Sequence, residues 1–157
     1  MRTNKLRDYF FLNHGAHFDA HPTKEITMST QVIHTDNAPA AIGPYSQAVS
    51  INLATANKMI FCSGQIGLDP ATGNLREGFE AQVDQALANM QSVIAAANGS
   101  LGGIVKLTLF LTDLSNFATV NAKMEALLPK PYPARSTVGV ASLPKGALFE
   151  IEAIVVL

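Results

Sequence analysis

The last quarter of this chain sets one arginine and two carboxylates into segments that otherwise read as buried β-strands: Pro133-Ala-Arg-Ser-Thr-Val-Gly-Val, then Leu143-Pro-Lys-Gly, then Phe149-Glu-Ile-Glu-Ala-Ile-Val. Alternating Val, Ile and Phe require an apolar environment on one face, so Arg135, Glu150 and Glu152 must point to solvent or line a cleft. Glu150 and Glu152, two apart on a regular strand, share a face. Arg135 follows a Pro-Ala step that fixes its approach, and its planar fork matches a carboxylate. A site for a small acid is the first expectation.

From Met28 onward the pattern mixes α and β. Ala38-Pro39 and Ile42-Gly-Pro-Tyr45 are turn signals before a short strand near 48–53, and 58–63 reads as a second strand, closed by Gly64 and the turn Asp69-Pro-Ala-Thr-Gly73. Val83, Ala86, Leu87, Met90, Val93, Ile94 and Ala97 recur at helical spacing, and Asn98-Gly99 stops that helix. Val105, Leu107, Leu109 and Leu111 alternate as a strand. Phe117, Val120, Met124, Leu127 and Leu128 mark a second amphipathic helix ended by Pro129, and strands over 136–141 and 147–156 complete the chain. The order β-β-β-α-β-α-β-β predicts an α+β layer fold, one mixed sheet of about six strands carrying two helices on one face. Too many strand positions are apolar on both sides for the other face to stay bare. Burial against identical subunits is the economical solution.

Composition narrows the class. At 157 residues, 48% hydrophobic and 15% charged, the chain can bury one substantial core and is too short for two. No apolar run approaches the roughly 20 residues of a membrane helix. The single cysteine, Cys62, cannot close an internal disulfide, which fits a reducing compartment such as the cytoplasm. Residues 28–157 carry seven Lys/Arg against nine Asp/Glu, a slightly acidic balance without a basic stripe that disfavours nucleic-acid binding. Residues 1–27 differ in character: they hold Tyr9-Phe10-Phe11 and three of the four histidines but no sustained periodicity, so the domain is expected over 28–157. Lys24-Glu25 before Met28 suggests an upstream leader read in frame, or vector sequence, and a disordered tail is expected. His14, His17 and His21 are close enough in sequence to chelate a metal, but no Cys accompanies them and no metal site is expected.

The usual catalytic signatures are missing: no P-loop, no His-Glu-x-x-His and no Cys-x-x-Cys, while Gly99-Ser-Leu-Gly-Gly103 lacks the spacing of a dinucleotide loop. Within 28–157 the sole histidine is His34, a poor partner for Cys62, which reads as a small buried thiol. Acid–base chemistry then falls to carboxylates, tyrosine or bound water.

Five segments carry a resemblance: Ala38-Pro-Ala-Ala-Ile-Gly-Pro-Tyr-Ser-Gln-Ala48, Ser63-Gly-Gln-Ile-Gly-Leu-Asp-Pro70, Asp113-Leu with Phe117-Ala-Thr-Val-Asn121, Pro133-Ala-Arg-Ser136, and Leu143-Pro-Lys with Glu150-Ile-Glu-Ala153. In this order the chain resembles the RidA/YjgF family of reactive-intermediate imine deaminases across essentially all of 28–157. The resemblance implies a chorismate-mutase-like trimer with a barrel-like core and ligand clefts between subunits. It implies hydrolysis, without a cofactor, of 2-imino or enamine acids such as 2-aminoacrylate, released by pyridoxal-phosphate enzymes, to 2-keto acids and ammonia. By the same resemblance Arg135 binds the substrate carboxylate and Glu150 holds the attacking water, Tyr45 and Phe117 wall the cleft, and Ser63, Gly64 and Asn121 complete it. Two positions depart from the family pattern. Thr137 stands where close members often carry Cys, which leaves the backbone contact and excludes a thiol role; Gly139 replaces a charged or amide residue and is expected to leave room that changes substrate size.

Elementary chemistry agrees. A protonated C=N is already a strong electrophile, so a fork for the carboxylate, a positioned water and an acceptor for its proton suffice. A non-catalytic trimer that senses small keto or amino acids would use the same arginine. A ribonuclease or translation inhibitor, an activity also attributed to the family, fits the acidic domain least.

Overall fold

The structure, a computed structural model, describes residues 30–35 and 40–157. The expectations for residues 1–27, for the histidines at 14, 17 and 21 and for Ala38-Pro39 therefore lie outside the described residues. Strands β1 (Thr30–Ile33), β2 (Ala48–Ile51) and β3 (Met59–Ile66) precede helix α1 (Phe79–Ala96). Strand β4 (Ile104–Leu111), helix α2 (Phe117–Leu127) and strands β5 (Ala134–Gly139) and β6 (Phe149–Val156) follow.

The six strands divide rather than forming one sheet. Four make a mixed sheet in the order β3-β6-β4-β5, and β1 and β2 form a separate antiparallel ribbon. The ribbon meets the sheet at one bridge, Ser46 with Ala134, where Ser46 N–H donates to Pro133 O at 2.8 Å and the Ser46 hydroxyl donates to Tyr132 O. Tyr132-Pro133 leads into β5, and a proline cannot donate to a ladder, so pairing there stays local. Strand β5 runs parallel to β4, which requires a crossover, and α2 supplies it.

Both helices cover one face. Leu107, Leu109 and Leu111 of β4 and Phe149, Ile151, Ala153 and Val155 of β6 alternate into the core. They meet Val83, Ala86, Leu87, Met90 and Ile94 of α1 and Val120 and Met124 of α2. The stripe predicted for α1 holds except at Val93, which faces outward at 38% exposure, and at Ala97, which caps the helix one residue past its end and is half-buried. Helix α1 ends on Asn98, whose φ of 63° takes the left-handed conformation, and Gly99 N–H closes back to Ile94 O at 2.9 Å. Of the predicted stop pair, asparagine rather than glycine bends the backbone.

Buried Gln82 fastens α1 to two loops, donating through Nε2 to Arg76 O at 3.1 Å and accepting at Oε1 from Leu148 N–H at 2.8 Å. Gly67 is pressed on the same residue: a Cβ there would lie 2.5 Å from Gln82 Cα. The loop after β3 and the entry to β6 are thus both referenced to α1. The opposite face of the sheet is bare. It presents Phe61 at 73% exposure, with Met59 and Val138, around the polar groups Lys106, Thr108, Ser136 and Glu152. Among the described residues no helix is long and apolar enough to cross a membrane.

Candidate functional site

Register decides where the functional side chains point. Arg135 pairs with Leu107 and Thr137 with Leu109, so both project to the helix-covered face, at the edge where β5 reaches past the main core. There the Arg135 guanidinium carbon lies 4.9 Å from the Tyr45 ring centroid and 5.5 Å from that of Phe117. Both rings lie within cation–π distance of the guanidinium, and its Nη1 has no hydrogen-bond partner in the protein. Tyr45 is fixed by a three-residue turn in which its N–H donates to Gly43 O at 2.8 Å, while its hydroxyl accepts from Ile42 N–H at 3.2 Å. Gly43 is a close-approach position, because a Cβ there would sit 3.2 Å from Asn121 Nδ2 and 3.4 Å from Arg135 Nη2.

Three buried polar atoms in this cluster have no protein partner: Arg135 Nη1, Asn121 Oδ1 and Thr137 Oγ1. Buried polar atoms are nearly always satisfied, so three adjoining exceptions mark a place where a polar ligand completes the bonding. Burial pushes the Arg135 guanidinium down from its ordinary range, partly opposed by the Tyr45 hydroxyl. A desolvated cation of this kind gains from an incoming carboxylate.

Glu150 lies elsewhere. It pairs with Phe110, and Glu152 pairs with Thr108, so both carboxylates project from the bare face, as their two-residue spacing predicts. Gly64 does not close β3. It sits within a register shift between Cys62 and Gln65, and the strand continues to Ile66. The bulge brings Gly64 under Glu150: a Cβ at 64 would lie 1.7 Å from Glu150 Oε1. Glycine here is a seat for the carboxylate, and Ser63 stands exposed beside it.

The predicted residues therefore fall into two half-sites. Tyr45, Phe117, Asn121, Thr137 and Arg135 gather on the helix-covered side; Ser63, Gly64 and Glu150 gather on the bare side. Gly139 does not leave the room expected of it. Leu114, from the 3-10 turn Leu114–Asn116, lies against it, with Cδ1 3.1 Å from where a Cβ would stand. Gly43 and Leu114 escaped sequence reasoning: Gly43 looked like a plain Gly-Pro turn, and Leu114 lies between a strand and a helix, outside either periodicity. Cys62 is buried and its thiol is pushed up by burial, as a packing residue requires. Among the described residues no cluster of three His, Cys, Asp or Glu could hold a metal ion.

Comparisons with known proteins place the chain in a family. Residues 35–157 match the family model described as Endoribonuclease L-PSP. The chain is 48% identical over 130 residues to the 2-iminobutanoate/2-iminopropanoate deaminase of Salmonella typhimurium, covering 81% of this chain and 98% of that protein. Among solved structures, RidA from the Antarctic bacterium Psychrobacter sp. PAMC 21119 is 50% identical, with a TM-score of 0.63 over 81% of this chain and 99% of that one. E. coli TdcF with bound serine is 41% identical, with a TM-score of 0.59 over 81% of this chain and 98% of that one. The arginine half-site, the glycine-seated carboxylate and the family pattern over 35–157 occur in a single chain, and that chain belongs to the Endoribonuclease L-PSP family, the RidA/YjgF family.

Proposed function

We propose that this protein is a 2-iminobutanoate/2-iminopropanoate deaminase, a cytoplasmic homotrimer whose sites form between subunits. The observation that carries the reading is the Arg135 guanidinium, desolvated between Tyr45 and Phe117 with Nη1 unpartnered. The relatives named as deaminases support it. In the assembly, Arg135 of one subunit takes the substrate carboxylate and Glu150 comes from a neighbour, because within one chain the two lie on opposite faces of the sheet. The bare face with Phe61, Met59 and Val138 supplies apolar area for that contact.

The chemistry asks little of the protein. An enamine such as 2-aminoacrylate tautomerises to 2-iminopropanoate; water held by Glu150 adds to C2 while its proton passes to the carboxylate. The carbinolamine then breaks its C–N bond, the nitrogen leaving as ammonia and the hydroxyl becoming the carbonyl of pyruvate. One water is consumed and one ammonia released, with no redox change and no cofactor. Asn121 Oδ1 is an acceptor suited to the substrate N–H donors.

A keto- or amino-acid sensor is the second reading, favoured by one fact: the arginine half-site is complete as a carboxylate binder and contains no proton acceptor of its own. Generating 2-aminoacrylate from serine with a pyridoxal-phosphate dehydratase separates the two. Acceleration of pyruvate and ammonia release is expected; binding of keto acids without acceleration would leave the sensor.

A further inference from the structure

No side chain fits at position 64, because a Cβ there would overlap Glu150 Oε1 and lie 2.7 Å from its Cδ. Yet glycine is the residue whose own atoms restrain φ and ψ least. The strand ladder is interrupted at the same point: Cys62 pairs with Ala153 and Gln65 with Ile151, so Ser63 and Gly64 together face Glu152 alone. Two peptide planes meet at Gly64 Cα, one carrying Ser63 O and the other Gly64 O. The Gln65 side chain takes both, its Nε2 donating to Ser63 O at 3.2 Å and to Gly64 O at 3.2 Å. A primary amide has two N–H donors on one nitrogen, one for each carbonyl. Beyond the bulge the strand is held from α1, where Asn89 Nδ2 donates to Ile66 O at 3.1 Å and to Leu68 O at 2.8 Å. Ile66 is the register partner of Glu150.

We propose that Gln65 is a positioning residue: by holding the peptide planes on either side of Gly64, its amide fixes the floor on which Glu150 rests, and with it the place where that carboxylate holds water. The inference rests on the deaminase reading for its reaction. The task calls for two donors, on one uncharged side chain of this length. Glutamate at 65 would set an ionised acceptor against two carbonyl oxygens, and methionine would keep the length but offer no donor.

The test compares Gln65→Met and Gln65→Glu in the dehydratase-coupled assay, with 2-oxobutanoate affinity measured by calorimetry. In both, kcat should fall by about tenfold or more, since a general base contributes about a hundredfold or more and a misplacement of about 1 Å can forfeit it. Affinity should stay within about twofold, because Arg135 lies on the other face of the sheet. In a Glu150→Gln background neither substitution should lower the residual turnover further, whereas a merely structural role would cost the same factor in both backgrounds. Glu150 itself is read by the carbon-13 resonance of its carboxyl, assigned by its disappearance in Glu150→Gln, and both substitutions should displace it. Unchanged kcat, or an equal loss in the two backgrounds, would overturn the positioning role, and one folded variant suffices for either outcome. If the wild type hydrolyses no imine, the deaminase reading fails and the resonance decides alone: displaced, the seat stands; unmoved, it falls.

Discussion

Arg135 and Glu150 stand on opposite faces of one four-stranded sheet, although their strands both flank β4. No side-chain rotation can bring them together, because the backbone lies between. If both act on one substrate, each site draws its arginine and its carboxylate from different chains.

That arrangement has a signature in mixing experiments. Arg135→Lys and Glu150→Gln should each be nearly inactive alone. Subunit exchange between equal amounts should restore about a quarter of wild-type activity, since a site that pairs two neighbours at random keeps both native groups about one time in four. Coupled-assay activity that stays at the level of the separate variants would place both groups in one chain's site.

Arg135→Lys by itself should cost about tenfold to a hundredfold in kcat/KM. Lysine keeps the charge but not the fork, and it cannot stack between Tyr45 and Phe117, a loss of about 1–3 kcal/mol at a two-pronged carboxylate site. Far-ultraviolet circular dichroism should be unchanged, because the guanidinium lies outside the apolar core. Near-normal turnover on 2-aminoacrylate would remove Arg135 from the site.

Gly64→Ala probes the carboxylate's seat. The added methyl occupies the position of Glu150 Oε1, so the carboxylate must swing away. A general base contributes about a hundredfold or more, and kcat should fall by at least about tenfold while keto-acid affinity changes less. Equal loss of affinity and turnover would assign Glu150 to binding.

Cys62 should be chemically quiet. Burial favours the neutral thiol, so the folded pKa lies above the unfolded one, and the stability this contributes is present at neutral pH and fades as pH rises through the thiol's range. Iodoacetamide at pH 8 should label the folded protein more slowly than the urea-unfolded one, and Cys62→Ala should retain activity. Rapid labelling with loss of turnover would give the thiol a chemical role.

A chain beginning at Met28 should keep the oligomer size and activity of the full sequence, because β1 begins at Thr30 and the family pattern at residue 35. Light scattering and the coupled assay check this; dissociation or precipitation would give residues 1–27 a structural part.

Much of this was legible beforehand. The helical stripe from Val83 to Ile94 and the alternation through β4 and β6 follow from burial, which period and apolar character report directly. The residues of both half-sites came from the family resemblance, while the shared face of Glu150 and Glu152 needed only strand geometry. What stayed hidden depends on register and on bulges. That Arg135 faces the helices while Glu150 faces away is set by pairing with Leu107 and Phe110, which no local pattern encodes. The bulge at Gly64 and the leucine filling the space beside Gly139 are likewise contacts between distant segments. The split of six strands into four and two is also a matter of which distant segments pair.

The ribbon of β1 and β2 carries a further consequence. Tyr45, one of the two rings against the arginine, belongs to the segment leading into the ribbon, whereas Arg135 and Phe117 belong to the packed layer of sheet and helices; the two parts meet at Ser46 and Ala134. A small ribbon tied at such a point can fray without disturbing the core beneath it. Tyr45 stands one residue from that tie, so the aromatic wall of the arginine site is anchored to the sheet by the bonds from Ser46 to Pro133 O and Tyr132 O and not by the ribbon beyond.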